Sequence, residues 1–420
     1  MDERNPEKDH DNPQREPVRA DAMNVPSAVP SLSRPSSPIP HPASRGPRPR
    51  FLVIKLADLG DALTITPALR ALRSTFPTAT IDALVTSVGA AVLSGLDSID
   101  NLICFEKSQF DRRPTALDPF VDALALGLRL RRTRYDRVFL LHHLFTRAGR
   151  LKYAALLAAT GCAWSGGVAE RRPHFLTQVI PDDGYGVRHE ADYWLGVVGL
   201  IGAENPAPRI EVAIDPNTRE RASGLLTNAE FRADRPRIAL YPGAGNYSTA
   251  RQWPVDRYAR VATRLIRNFD ANVVVVGGST ERGLAERVCD GLGSRCLNLA
   301  GQTPDVKTLA GVLSQCDLFV GNDGGVMHLA SAVSIPIVAI FGPSNDVSWG
   351  PYGNVVWSPG TPARTVVVRA DLPCAPCLYR GFLPGTRFGC AARDCLGMID
   401  EATVIQAAQD VLTQTRRRDF

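Results

Sequence analysis

Short apolar runs, each ending in a turn and followed by a helix-spaced stretch, recur from Phe51 onward. This alternation constrains the fold more than any other feature of the chain. FLVIKL fits a buried parallel strand, ADLGD is its loop, and ALTITPALRALRSTFP carries the apolar spacing of a helix. IDALV and NLICF read as further strands, followed by a helix around Pro119–Arg132, the strand RVFLL, and helices at Leu151–Thr160 and Ala191–Ile201. Strand alternating with helix predicts a doubly wound α/β domain.

Residues 203–235 carry Asn205-Pro206, Pro208, Asp215-Pro216 and Asp234 to Pro236, the composition of a junction. A second α/β series follows. RIALYPG leads to a helix at Val255–Phe269, ANVVVVGG to Glu281–Gly291, CLNLAG to Asp305–Ser314, and DLFVGND to Val326–Val333, before IPIVAIFGP. The predicted division is a first domain over 51–215 and a second over 236–400, with a last helix in 401–420 packing back across the junction. Two such halves enclose a cleft, and crevices at strand C-termini bind ligands.

Residues 1–50 are rich in Pro, Ser, Arg and Asp and bury too little apolar surface to offset ordering entropy, so they read as a disordered tail. No run of about 18 apolar residues occurs, and MDERNPEKDH lacks the apolar stretch of a signal peptide. Nine cysteines are an odd number. Cys104, Cys162, Cys289, Cys296 and Cys316 read as reduced thiols of a cytoplasmic protein.

The segment Val320 to His328 carries the clearest chemistry. Gly324 and Gly325 leave backbone N–H groups uncovered at a helix start, where partial positive charge favours a phosphate. Asp323 precedes them and His328 follows one turn later, so the block reads as a diphosphate site. Tyr241 to Asn246 forms a second strand-end turn. Ser248, Thr249 and Arg251 behind it supply hydroxyls and a cation for phosphate oxygens. Glu281, after Gly277-Gly278, could accept ribose hydroxyls or merely complement a helix dipole. Leu59-Gly60-Asp61 ends the first strand's loop. Asp61 there is either an N-cap or a general base facing the cleft.

Cys374, Cys377, Cys390 and Cys395 could form a structural zinc site or a plain thiol cluster. Arg112, Arg113, Arg129, Arg131, Arg132, Arg134, Arg137, Arg147, Arg150 and Lys152 form a basic region suited to an anionic acceptor or an anionic leaflet. Nucleic acid is not expected, since no aromatic interleaving or known nucleic-acid module accompanies the arginines.

These residues, in this order, resemble the ADP-heptose:lipopolysaccharide heptosyltransferases of glycosyltransferase family 9. The shared elements are Leu-Gly-Asp at 59–61, Pro-Gly-Ala at 242–244 with Arg251-Gln252-Trp253-Pro254, the 321–328 block, and Phe-Gly-Pro at 341–343. The resemblance implies a GT-B architecture of two Rossmann-like domains, with donor on the second and acceptor on the first. It further implies inverting, metal-independent transfer of heptose from ADP-heptose onto a lipopolysaccharide core or related glycan, with no cofactor required. Its partners would be the nucleotide-sugar donor and an anionic glycolipid or glycan, met in the cytoplasm or peripherally at the inner membrane. By position Asp61 matches the proposed base, Arg251 a family Lys on the diphosphate, and Asp323, Gly325 and His328 donor-site positions. Two departures are present: Asp323-Gly324-Gly325 replaces Asp-Thr-Gly, and Arg replaces Lys at 251. The alternatives are an epimerase or hydrolase of sugar nucleotides on the same fold, or a non-catalytic nucleotide-sugar binder.

Overall fold

A computed structural model describes residues 18–22, 48–105, 118–227, 231, 234–245, 247–353, 365–378 and 388–416. Strand β1 (Val18–Ala22) lies in the tail. The first lobe then carries β2 (Arg50–Lys55), β3 (Thr80–Val85), β4 (Asn101–Cys104), β5 (Arg137–Leu140), β6 (Ser165–Val168) and β7 (Gln178–Ile180). The second lobe carries β8 (Arg237–Tyr241), β9 (Asn272–Val275), β10 (Cys296–Asn298), β11 (Leu318–Asn322), β12 (Ile337–Phe341) and β13 (Thr365–Ala370). Helices α1 (Leu59–Leu63), α2 (Thr66–Thr75), α3 (Ser87–Leu93), α4 (Asp118–Thr133), α5 (Arg147–Thr160) and α6 (Glu190–Gly199) belong to the first lobe's run of chain. Then come α7 (Pro216–Leu226), α8 (Val255–Phe269), α9 (Arg282–Cys289), α10 (Val306–Leu313), α11 (Gly325–Ala332), α12 (Asp346–Trp349), α13 (Asp394–Gly397) and α14 (Glu401–Arg416). Among the described residues no helix is long and apolar enough to cross a membrane.

The first sheet has the order β4-β3-β2-β5-β6-β7, all parallel. The second runs β13-β12-β11-β8-β9-β10, also parallel, with β1 added antiparallel outside β13. Both parallel orders are the doubly wound pattern in which strand order reverses once. That reversal falls between β2 and β5 in one lobe and between β8 and β11 in the other. Ligand crevices open at such points, beyond the strand C-termini. Ile54 is level with Leu140 at the first, and Gly321 with Tyr241 at the second. The strands are buried on both faces, which is why they read as unbroken apolar runs. One apolar cluster passes from Leu63, Leu69 and Trp194 of the first lobe to Met327, Leu329 and Phe341 of the second. It packs α1 against α11.

Several expectations are corrected. Within the tail read as disordered, Val18–Ala22 pairs with β13. The composition argument weighed apolar burial, whereas an edge strand needs backbone partners that the open edge of β13 supplies. Part of the expected junction is helix α7, capped by Asp215 and packed on α10 of the second lobe, where Gly311 admits Ala222 closely. The described part of the final helix packs on the second lobe. Val404, Ala407, Ala408, Val411 and Leu412 of α14 complete the core over β11 to β13 and α8. Cys289 and Cys296, expected as reduced thiols, are joined as a disulfide because the turn between α9 and β10 brings their Cα atoms to 5.4 Å. The basic region is not one surface. Arg129, Arg131, Arg132, Arg134 and Arg137 lie where α4 enters β5, while Arg147, Arg150 and Lys152 follow β5 at its crevice end. Arg112 and Arg113 fall outside the described residues.

Candidate active site

In the second lobe, Asn322 ties the two strand ends at the order reversal together. Its amide donates to the carbonyls of Pro242 and Gly243 at 3.0 and 2.8 Å, and its Oδ1 accepts from the Trp253 backbone and the Tyr258 hydroxyl. Glu281, buried beneath the same turn, braces it further. Oε1 accepts from the Tyr241 hydroxyl and the Gly245 backbone, each at 3.0 Å, and Oε2 from the Gly278 backbone at 2.8 Å. A Cβ on Gly243 would overlap Glu281 Oε1, so glycine is required there. Three of the carboxylate's acceptor directions are taken in this way, which leaves one on Oε2.

Arg251 stands in the mouth of this crevice. Nη1 pairs with Asp323 Oδ2 at 3.2 Å, and Nη2 donates to the Ala244 carbonyl at 2.7 Å. Nε is buried without a partner. Ser344 donates to the same Asp323 oxygen at 2.6 Å, so Asp323 holds the guanidinium in place. Ser248 is buried and caps the short turn that carries Arg251, its hydroxyl accepting from the Ala250 backbone, while Thr249 is exposed beside it. Gly324 is the N-cap of α11 in extended backbone, and Gly325 opens the helix. His328, one turn in, is buried. Burial pushes its imidazole down to about 4, with Asp323 opposing that shift and Arg251 reinforcing it. It is therefore neutral near pH 7, and its Nδ1 has no partner.

The first lobe brings Asp61 to meet this. Asp58, not Asp61, is the N-cap of α1, so the bland capping reading of Asp61 does not apply. Its carboxylate pairs instead with Lys55 Nζ at 3.1 Å, and its side chain remains 32% exposed. Lys55 ends β2, is buried, and lies 4.2 Å above the Trp194 ring. The indole donates to Thr64, whose hydroxyl donates to the Asp61 carbonyl at 2.7 Å. The lobes touch one residue away. A Cβ on Gly60 would stand 2.7 Å from His328 Cδ2, and one on Gly325 3.1 Å from Leu59.

The structure thus brings Asp61, Arg251, Asp323, Gly324, Gly325 and His328 to one cleft. Ser248 and Glu281 support its walls. Sequence reasoning missed Lys55 and Trp194, and it placed Asn322 and Ser344 in motifs of the pocket without giving either a role of its own. A lysine closing an apolar strand in FLVIKL and an asparagine inside VGND were the available signals, since a polar group buried in a strand end needs a partner. The late cysteines Cys374, Cys377, Cys390 and Cys395 lie close enough to influence one another. Cys390 Sγ accepts from the Arg393 backbone, and the thiols of Cys377 and Cys395 are pushed up by burial and by their sulfur neighbours, Cys395 to about 11. Among the described residues no three side chains stand in metal-holding geometry.

Two doubly wound lobes with opposed crevices, the Asp61 carboxylate on one and Arg251 with the start of α11 on the other, form a GT-B architecture. Residues 123–381 match glycosyltransferase family 9 (heptosyltransferase), and the chain belongs to that family. It is 28% identical over 305 residues to lipopolysaccharide heptosyltransferase 2 of Salmonella typhimurium, which covers 70% of this chain and 83% of the relative. The corresponding protein of Escherichia coli K12 is 27% identical over the same length. In structure it is similar to E. coli ADP-heptose lps heptosyltransferase II, with TM-score 0.65, 22% identity and coverage of 87% of this chain and 99% of that one. A family 9 glycosyl transferase from Veillonella parvula gives TM-score 0.67 at 22% identity, covering 87% and 97%.

Proposed function

We propose that this chain transfers heptose from ADP-heptose onto a lipopolysaccharide core, with Asp61 as the general base. The observation that carries the reading is the contact of Gly60 with His328, which sets Asp61 beside the diphosphate cradle. In this reading Asp61 takes the proton of an acceptor hydroxyl as that oxygen bonds to the anomeric carbon. The bond from that carbon to the diphosphate breaks, and its electron pair leaves on a phosphate oxygen. Arg251, Thr249 and the N–H groups at Gly324 and Gly325 meet the growing negative charge. Neutral His328 contributes an N–H rather than a charge. Glu281 accepts a ribose hydroxyl through its remaining Oε2 direction. Lys55 holds the Asp61 carboxylate in place before the acceptor arrives.

Arg147, Arg150 and Lys152 lie at the acceptor end of the first lobe, where an anionic glycolipid at the cytoplasmic face of the inner membrane would approach. The alternatives lose ground, because epimerisation asks for a further acid or base beside the sugar and a pure binder has no use for a half-buried, ion-paired Asp61. The test is a donor series. ADP-heptose, GDP-sugars and UDP-sugars are each incubated with the full chain and with lipopolysaccharide de-O-acylated from cells lacking this chain, and products are weighed by mass spectrometry. Transfer of one heptose from ADP-heptose is expected. Donor consumption without acceptor, or transfer from a different nucleotide sugar only, overturns the reading.

A further inference from the structure

Two polar groups at the first lobe's order reversal are unused, a buried tyrosine hydroxyl and the shielded Nδ1 of a half-buried histidine. Tyr153 is 1% exposed on α5, and its hydroxyl has no partner. His142 stands two residues beyond Leu140, at the end of β5 beside the strand that carries Lys55, and its Nδ1 also has none. Their rings lie 4.8 Å apart. Each unmade hydrogen bond of this kind costs about 1–3 kcal/mol, so two together at a ligand crevice call for a partner from outside the fold. Asp61 is near enough to oppose ionisation of the Tyr153 phenol, and Lys55 near enough to oppose protonation of His142.

We propose that Tyr153 and His142 form the acceptor subsite beside Asp61, binding a vicinal diol of the acceptor sugar so that one hydroxyl is presented to the base. This rests on the transfer reading above and names the chemistry its acceptor must bring. Neither group is a cation at neutral pH, since burial first and Lys55 second push His142 down to about 3. A phenol and a neutral imidazole suit hydroxyls, not phosphate. Lys55 is already committed to Asp61. Lys152, whose Nζ lies 4.4 Å above the Tyr153 ring, is exposed at the rim, where the acceptor's anionic groups would sit. Tyr153 and His142 are thus positioning residues for the nucleophile.

The experiment compares wild type, Tyr153→Phe, His142→Asn and Asp61→Asn. It uses saturating ADP-heptose and varied de-O-acylated lipopolysaccharide from cells lacking this chain. Tyr153→Phe should raise the acceptor KM about tenfold. The Kd for ADP should stay unchanged and the melting temperature equal or higher, because the lost hydroxyl had no partner in the fold. His142→Asn should raise the same KM with the same silence toward ADP. Unaltered acceptor KM in both variants, or a fall in melting temperature with Tyr153→Phe, overturns the subsite while transfer abolished only by Asp61→Asn leaves the base intact. A wild type that binds ADP yet transfers nothing overturns both.

Discussion

Replacing Gly60 with alanine tests the meeting of the lobes. The new Cβ would lie 2.7 Å from His328 Cδ2, and a retreat of about 0.7 Å is needed to reach ordinary contact at 3.4 Å. His328 cannot swing aside freely, because it is buried and its ring lies 6.3 Å from that of Trp349. Either the imidazole or α1 must move, and α1 carries Asp61. Overpacking of this kind costs about 1–3 kcal/mol of stability. A displacement near 1 Å between reacting groups costs roughly a hundredfold in rate, so kcat should fall about ten- to a hundredfold with only a small change in the Kd for ADP. Steady-state transfer and scanning calorimetry read both effects. His328→Ala removes the obstacle, so on that background the Gly60→Ala penalty should shrink by about 1 kcal/mol or more. Wild-type kcat and melting temperature in Gly60→Ala, or equal penalties on both backgrounds, would refute the contact.

Arg251→Met should weaken ADP binding about a hundredfold or more by removing a held cation and stranding Asp323, and Arg251→Lys should recover part of it; calorimetric titration with ADP decides. Asn322→Leu strips four hydrogen bonds from the second crevice and should cost about 3 kcal/mol or more in urea unfolding. His328 and His189 are each pushed down to about 4 by burial from an ordinary value of 6.5. The unfolded chain therefore binds more protons between those values, so melting temperature should fall as pH drops from 6.5 toward 4 and level off above 6.5. His328→Gln should flatten part of that slope.

The two α/β series were legible because doubly buried strands leave unbroken apolar runs, and glycine turns mark the crevices. Asp61, Arg251, Asp323 and His328 were legible as the polar residues flanking those turns. What escaped has a physical reason in each case. β6 reads SGGV, with little side chain to signal burial, and β7 has three residues. α7 is nearly as polar as a linker, and its cap Asp215 sits in an Asp-Pro pair that reads equally as a turn. β1 pairs antiparallel with β13 from within a segment whose composition gives no apolar signal. Lys55 was absorbed into an apolar run, and the Trp194 ring beneath it is distant in sequence. His142 and Tyr153 carry no motif, and only their lack of partners distinguishes them.

The most direct measurement is single-turnover transfer by Asp61→Asn with ADP binding followed in the same preparation. Asparagine keeps the shape of the side chain and cannot take the proton. The account predicts a loss of about a hundredfold to ten-thousandfold in the transfer rate, with the Kd for ADP within about twofold of wild type. Transfer at the wild-type rate would contradict it.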